Sequence, residues 1–330
     1  MILTLTEAGG AVGYGHLTRC LAIAQNFSSD SCVIVHPDED ARDQRWRAFP
    51  WRDDIQGALA RFGDEEIDLV LVDSYLADLS IYRELKDRNI FLAVIDDYDR
   101  LAYAGDIVIN PAISGPDYLQ QNADIVSGKD WVILRQEILE HQTKKSHTEL
   151  RHVSLSFGGA DKKGCFYRLV PLLLELGFHL SLIAGTDERA KDLSAHFPGD
   201  HIRIYGRLEA DKLADVFVSS DLAISAGGQT LNELAYLGVP FLAIETGADQ
   251  FWNISGYVGS GVTPCHFSAD DSVLENKIVA QLELLRDPER RREMAERGAD
   301  LIDGEGAQRI ANLLEKRAIY STSISEQLNV

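Results

Sequence analysis

Short apolar runs rich in β-branched residues alternate with amphipathic stretches along most of the chain. This is the pattern of parallel α/β layers, because strands covered on both faces read as continuous apolar runs separated by helices of period 3.6. In the first half the runs at 2–6, 32–36, 69–72, 91–95 and 107–109 predict strands, and 16–27, 53–62 and 80–88 predict the intervening helices. Residues 136–149 are polar and carry no strand period, so the inter-domain linker is placed there. The alternation then restarts, with strands expected at 152–156, 179–184, 202–205, 222–225 and 241–244. Helices are expected at 166–176, 188–196, 212–218, 230–237 and 273–285. The segment 286–315 is charged and helical in composition, whereas the end of the chain, from about 320, is polar, unpatterned and expected to fray.

The expected organisation is therefore two doubly wound, Rossmann-like domains, 1–142 and 150–315, followed by a polar tail, 316–330. Two such halves facing one another predict a central cleft, and ligands bind such sheets at the carboxyl ends of their strands. The length of 330 residues suits two cores. The 45% hydrophobic content argues against disorder.

Charge narrows the partners. With 32 Lys+Arg against 52 Asp+Glu the net charge is −20, which repels nucleic-acid backbones and anionic membrane surfaces. A small anion is not excluded, since the field inside a pocket differs from the net charge. The four cysteines, Cys20, Cys32, Cys165 and Cys265, have no metal-site spacing and read as scattered thiols of a reducing compartment. The N-terminus has no basic region ahead of a long apolar one, and no stretch approaches about 18 uninterrupted apolar residues. A cytoplasmic protein is expected.

Two glycine turns carry the candidate chemistry. The first, Gly9 to Arg19, joins the first strand to the first helix. Its glycines, Gly13 and Gly15 among them, let backbone N–H groups approach a ligand, and His16 opens the helix beside them. The spacing is neither a dinucleotide fingerprint nor a P-loop, since no Lys follows. An imidazole at a helix N-terminus is kept neutral and able to accept a proton, so general base is its natural role. Arg19, one turn later, is a candidate substrate contact. In the second turn, Ser225 to Glu233, the amides of Gly228, Gln229 and Thr230 can cradle a diphosphate without lysine, and Glu233 is placed to accept from a ribose diol.

Further candidates end other strands. Asp249 and Gln250 follow the run at 241–244 and offer hydrogen bonds to sugar hydroxyls or an acetamido group. Gly158 and Gly159 form either a close approach to a sugar diphosphate or an ordinary tight turn. Tyr75, after Asp73 and Ser74, is read as positioning substrate, and Asp96 and Asp97 as structural. One Asp pair without further ligands gives no metal site.

Taken in order, GYGHLTR (13–19), VDSY (72–75), IDD (95–97), LR (134–135), SFGGAD (156–161), SAGGQTLNE (225–233), LGVP (237–240) and DQ (249–250) resemble the UDP-sugar hydrolases of pseudaminic acid biosynthesis. The same residues are similar to spore-coat polysaccharide biosynthesis proteins and, more distantly, to MurG-like glycosyltransferases. The resemblance spans about 1–315, and its most specific pieces are G-x-G-H-x-x-R and GG-x-T-x-x-E. It implies a GT-B fold, UDP held mainly by the C-terminal half, and no required metal or cofactor. It also implies hydrolysis of UDP-2,4-diacetamido-2,4,6-trideoxy-β-L-altropyranose to UDP and the free sugar with inversion. The family's catalytic histidine and active-site tyrosine map onto His16 and Tyr75, its diphosphate glycines onto Gly227 and Gly228, and its ribose-contacting glutamate onto Glu233. The chain departs from the family at Asp249, where an Asn is common, replacing an amide with an acceptor-only carboxylate when ionised.

Nucleotide-sugar hydrolysis is the expected function, with His16 deprotonating water. The alternatives are a glycosyltransferase that uses the same base on an acceptor hydroxyl, and a non-catalytic nucleotide-sugar-binding subunit.

Overall fold

A computed structural model describes residues 1–9, 12–37, 45–63, 67–88, 90–119, 121–141, 149–158 and 161–328, with side chains as far as 319. The chain divides into two compact units, Met1–Arg135 with Glu305–Val330, and Gln136–Gly304.

The first unit holds β1 (Ile2–Ala8), α1 (Gly15–Ala24), β2 (Ser31–Pro37), β3 (Arg47–Ala48), α2 (Ile55–Ala60), β4 (Leu69–Asp73), α3 (Leu79–Lys86), β5 (Phe91–Ile95), β6 (Ile107–Asn110) and β7 (Asp124–Ser127). All pairings are parallel, and the order is β3-β2-β1-β4-β5-β6-β7. The central strands are largely apolar because both of their faces are covered. Leu3, Leu5, Val70, Val72, Leu92 and Val94 pack on one side with Trp51 and Tyr82. Their neighbours Ile2, Leu69, Leu71, Ala93 and Ile95 pack on the other. Helix starts are set by side-chain caps: Asp54 accepts from the Gly57 amide at 2.7 Å, and Asp78 from that of Ser80 at 2.9 Å.

In the second unit come α4 (Gln136–Leu139), β8 (His152–Ser156), α5 (Cys165–Glu175), β9 (His179–Ile183), α6 (Asp187–His196), β10 (Ile202–Tyr205), α7 (Ala210–Val218), β11 (Leu222–Ala226), α8 (Gln229–Tyr236), β12 (Phe241–Glu245), α9 (Phe251–Gly259), β13 (His266–Ser268), α10 (Leu274–Leu284) and α11 (Pro288–Leu301). Its parallel sheet repeats the same winding, β10-β9-β8-β11-β12-β13. Leu155, Leu182, Ile224 and Ile244 meet Phe166, Leu193 and Ile278 in one core.

Each sheet reverses its winding once, between β1 and β4 in the first and between β8 and β11 in the second. Loops leaving adjacent strands at such a point diverge to opposite faces and leave room outside the carboxyl ends.

The end of the chain departs from expectation. Residues 305–315 were expected in the second domain and 316–330 as an unpatterned tail; instead α12 runs Gly306–Leu328 and belongs with the first unit. The reason is its apolar face: Ala307, Ile310, Ala311, Leu314 and Ala318 recur at helical spacing and complete the core made by Ile2, Leu69, Phe91 and Ile107. Glu315 fastens it further, accepting from the amides of Ser28 at 2.9 Å and Ser29 at 2.8 Å. The stretch 286–315, expected as one helical region, is cut by the loop 302–305 into α11 and α12. Of the linker placed at 136–149, residues 136–139 are α4 and 142–148 lie outside the described residues.

Candidate active site

The winding brings the loop after β1 beside the end of β4. Thr6 on β1 lies in register with Asp73, the last residue of β4, and Asp73 with Ile95 on β5, just before Asp96 and Asp97. Gly9 and Gly13 close the loop by exchanging backbone hydrogen bonds of 3.1 and 2.6 Å. Gly13 takes φ +78°, a conformation that strains other residues. The chain then enters α1 at Gly15, and His16, in its first turn, is 5% exposed.

Five side chains converge there. The Nδ1 of His16 lies 2.6 Å from Oδ1 of Asp73. Arg19, one turn along α1, donates through Nε to Asp73 Oδ2 at 2.6 Å and through Nη2 to Oδ1 at 2.7 Å. The far side of the same guanidinium donates to both oxygens of Asp97, at 2.9 and 3.0 Å. The hydroxyl of Tyr75 donates to Oδ2 of Asp97. Its ring stands edge-on to that of His16, with centroids 4.3 Å apart.

Asp73 is fully buried, which opposes its charge; the Arg19 guanidinium, then His16, override that cost and hold its carboxyl well below the usual carboxylate range. A carboxylate at Nδ1 makes that nitrogen the donor and leaves Nε2 with the lone pair. Among the described residues Nε2 has no hydrogen-bond partner. The geometry orients the imidazole through Nδ1 and leaves Nε2 able to accept a proton, with Asp73 placed to stabilise an imidazolium.

Two expectations change. Arg19, read as a substrate contact, is buried with its guanidinium spent on Asp73 and Asp97, so it orders the site. Asp97, read as structural, belongs to this network. Asp96 keeps the structural role, accepting from the amides of Asp99 at 2.5 Å and Arg100 at 3.2 Å and from the Tyr103 hydroxyl at 2.8 Å. The two aspartates serve different neighbours and do not form a paired-carboxylate ligand set. Tyr75 is fixed through its backbone as well, its N–H donating to Glu7 Oε1 at 2.7 Å.

In the second unit the corresponding switch point carries the other glycine turn. Ser225 on β11 is in register with Ser156 on β8, so Gly227 and Gly158 leave neighbouring strands. α8 starts at Gln229 behind Gly228, with no side-chain cap. An uncapped helix start directs first-turn N–H groups outward, which suits Gly228, Gln229 and Thr230 to an anion. Gly227 has no room for a side chain: a Cβ would lie 2.5 Å from Ile254 Cδ1. Gln250, expected to face a sugar, instead braces this turn, its Oε1 accepting from the amides of Gly227 at 3.1 Å and Thr246 at 2.9 Å. Asn253 holds the other side, donating to the carbonyls of Gly227 at 3.0 Å and Gly228 at 3.3 Å. Glu233 lies on α8 and is 2% exposed, and Asp249 is half-buried beside Gly247. Gly158 is exposed at φ +68°, with open space where a Cβ would point. Gly159 lies outside the described residues.

No family model matches the chain. Among curated sequences it is 22% identical to the Bacillus subtilis spore coat polysaccharide biosynthesis protein SpsG, over 94% of this chain and 96% of that protein. It is 23% identical to the Methanocaldococcus jannaschii protein MJ1062, which is uncharacterised, over 74% of this chain; the match spans about half, 55%, of that relative's length. Among solved structures, Acinetobacter baumannii MurG superposes with a TM-score of 0.65 at 15% identity, covering 96% of this chain and 99% of that one. The S. aureus MnaA–UDP co-structure superposes with a TM-score of 0.66 at 12% identity, covering 96% of each. The two parallel-sheet units and these likenesses make the fold GT-B.

Proposed function

We propose that the protein is an enzyme of UDP-sugar metabolism, a hydrolase that splits a UDP-linked sugar at the anomeric carbon into UDP and free sugar. The observation that carries this reading is the buried His16–Asp73 pair at the switch point of the first sheet, a general base already oriented for proton abstraction. In this reading the backbone amides of Gly228, Gln229 and Thr230 take the diphosphate and stabilise the charge that grows on it as it leaves. Glu233 takes the ribose, while Gly13, Gly15, Gly158 and Asp249 contribute to the substrate surroundings. The resemblance in sequence supports a 2,4-diacetamido-2,4,6-trideoxyhexose as the sugar, with Asp249 favouring a donor group where an amide would serve either way. The polysaccharide-biosynthesis name of the Bacillus relative and the UDP in the S. aureus co-structure favour a UDP-sugar.

Incubation of the purified protein with a panel of UDP-linked amino- and deoxysugars, with UDP and free sugar quantified together, tests this. Both products form in equal amounts if the reading holds. His16→Ala is expected to lower the rate by roughly 10²–10⁴, and a variant that keeps near-normal turnover sinks the role of His16. The second reading is a glycosyltransferase with the same base, favoured by the solved structure of MurG's superposition on this fold. Absence of UDP release in water from every donor, with release restored by an acceptor alcohol, favours transfer.

A further inference from the structure

The amino-terminal edge of the second sheet, opposite the end that carries the α8 turn, holds a row of three histidines. His152 and His179 open β8 and β9 in register with one another. Leu180 pairs with Ile202, and its N–H donates to the His201 carbonyl at 2.8 Å, so His201, just ahead of β10, continues the row. Residues in one row of a parallel sheet send their side chains to the same face. The three rings have different surroundings there. Both nitrogens of His152 are occupied, Nδ1 by the Ser219 carbonyl at 3.0 Å and Nε2 by the Ser181 hydroxyl at 2.9 Å. His179 and His201 are exposed and meet one another, with 3.4 Å between their Nδ1 atoms and 4.7 Å between ring centroids. The nitrogens are closer than the centroids, so the two Nδ1 corners lie on the facing sides of the rings. A separation of 3.4 Å is long for an N–H hydrogen bond, which settles at about 2.9–3.0 Å. It matches two nitrogens on one tetrahedral ion, since metal–nitrogen distances of about 2.0–2.1 Å put a pair of ligands about 3.3–3.4 Å apart.

We propose that His179 and His201 form a two-imidazole site for a divalent transition-metal ion of the zinc class, with water in the remaining positions. Among the described residues no group of three histidines, cysteines or carboxylates forms a metal site, so the ion is exchangeable, unlike one in a closed structural centre. Imidazole nitrogen sets the class: it takes zinc, nickel or copper and leaves magnesium and calcium to oxygen ligands. The sheet supplies the spacing in advance, because the hydrogen bonds between β9 and β10 fix the backbone that carries both rings. The consequence for the fold is local. β10 is an edge strand, partly exposed and paired only with β9, and an ion shared by the two histidines clips its start to that one neighbour. No step of the proposed reaction runs through this ion.

The test is calorimetric titration of the full chain, first stripped with a chelator, with Zn²⁺ and separately with Mg²⁺. One Zn²⁺ is expected to bind at this site and Mg²⁺ is not. His179→Gln and His201→Gln are each expected to weaken Zn²⁺ binding by about tenfold or more, the lower end of what even an outer partner of a metal ligand is worth. Because both rings are exposed, the two variants are expected to unfold at the wild-type denaturant concentration when the chelator is present. Amide hydrogen exchange supplies the second readout: Zn²⁺ is expected to slow exchange in β10 of the wild type, with no change in β11 or β12 and no effect in either variant. Zn²⁺ affinity that is unchanged in both variants places the ion elsewhere and overturns the site, as does the absence of Zn²⁺ binding to the wild type. Mg²⁺ binding as tight as that of Zn²⁺ also overturns it, since it would mark a general attraction of divalent cations to an acidic surface.

Discussion

Asp73 is the residue that ties the buried network of the first unit together, and its position explains how. A fully buried carboxylate is costly unless its partners are charged and well aligned, and here Arg19 donates to both of its oxygens while His16 takes one. Asp73→Asn leaves the Arg19 guanidinium buried with half of its compensation gone. The expected cost is about 3–5 kcal/mol in denaturant unfolding, together with a loss of turnover as Nδ1 of His16 loses the group that fixes its tautomer. The native carboxyl titrates below its unfolded value of about 3.9, so its contribution to stability is in full force above that pH and disappears as the pH falls through the lower native value. The expected stability profile therefore declines on the acid side of about pH 4 in the wild type and less steeply in Asp73→Asn. Equal slopes in the two proteins would contradict the assignment. Little of this network was legible in the sequence. His16 stood out because it opens a helix behind glycines, but an aspartate ending a strand reads alike whether it caps a nearby loop, as Asp96 does, or pairs with an arginine 54 residues away, as Asp73 does.

At the scale of elements the legible part is larger, because burial on both faces writes itself as uninterrupted apolar runs. The strands at the centre of each sheet, such as β4 with Leu69 to Val72 and β11 with Leu222 to Ala226, were readable for that reason. The edges were not: β7 is mostly exposed and β3 has only two residues, so neither carries an apolar period. The glycine turn before α8 was readable as a turn, but its bracing by Gln250 and Asn253 depends on where side chains 23 or more residues away end up. α12 is the sharpest case. Its apolar positions recur at helical spacing, yet their partners lie at the start of the chain, in β1, β4 and β5, and no local signal names them. Leu314 is fully buried in that core. Leu314→Ala is expected to destabilise the protein by about 2–5 kcal/mol, with the loss concentrated in the first unit. Amide hydrogen exchange that accelerates in β1, β4 and β5 but not in β8 or β11 is the signature; uniform acceleration, or none, contradicts the placement of α12.

At the scale of the whole molecule the net charge of −20 and a nucleotide diphosphate repel one another, and the proposed binding turn does nothing to offset this with side chains, since residues 225–233 contain neither Lys nor Arg. What attracts the anion in the proposal is short-ranged: the aligned amides at the start of α8, whose field falls off within about one helical turn. The repulsion is long-ranged and set by the ionic strength, with a Debye length of about 30 Å at 0.01 M and about 8 Å at 0.15 M. The two components therefore separate with salt. Raising the ionic strength across that range removes the repulsion met during approach and leaves the contact with the amides largely intact. The association rate for UDP is expected to rise several-fold, with the dissociation rate nearly constant, the opposite of a site built from lysines, where salt slows association. Stopped-flow measurement of UDP binding at a series of salt concentrations distinguishes the two. A rate that falls with salt would mean that basic side chains gather at the nucleotide from elsewhere in the fold, and the backbone amides would lose their place as the principal anion site.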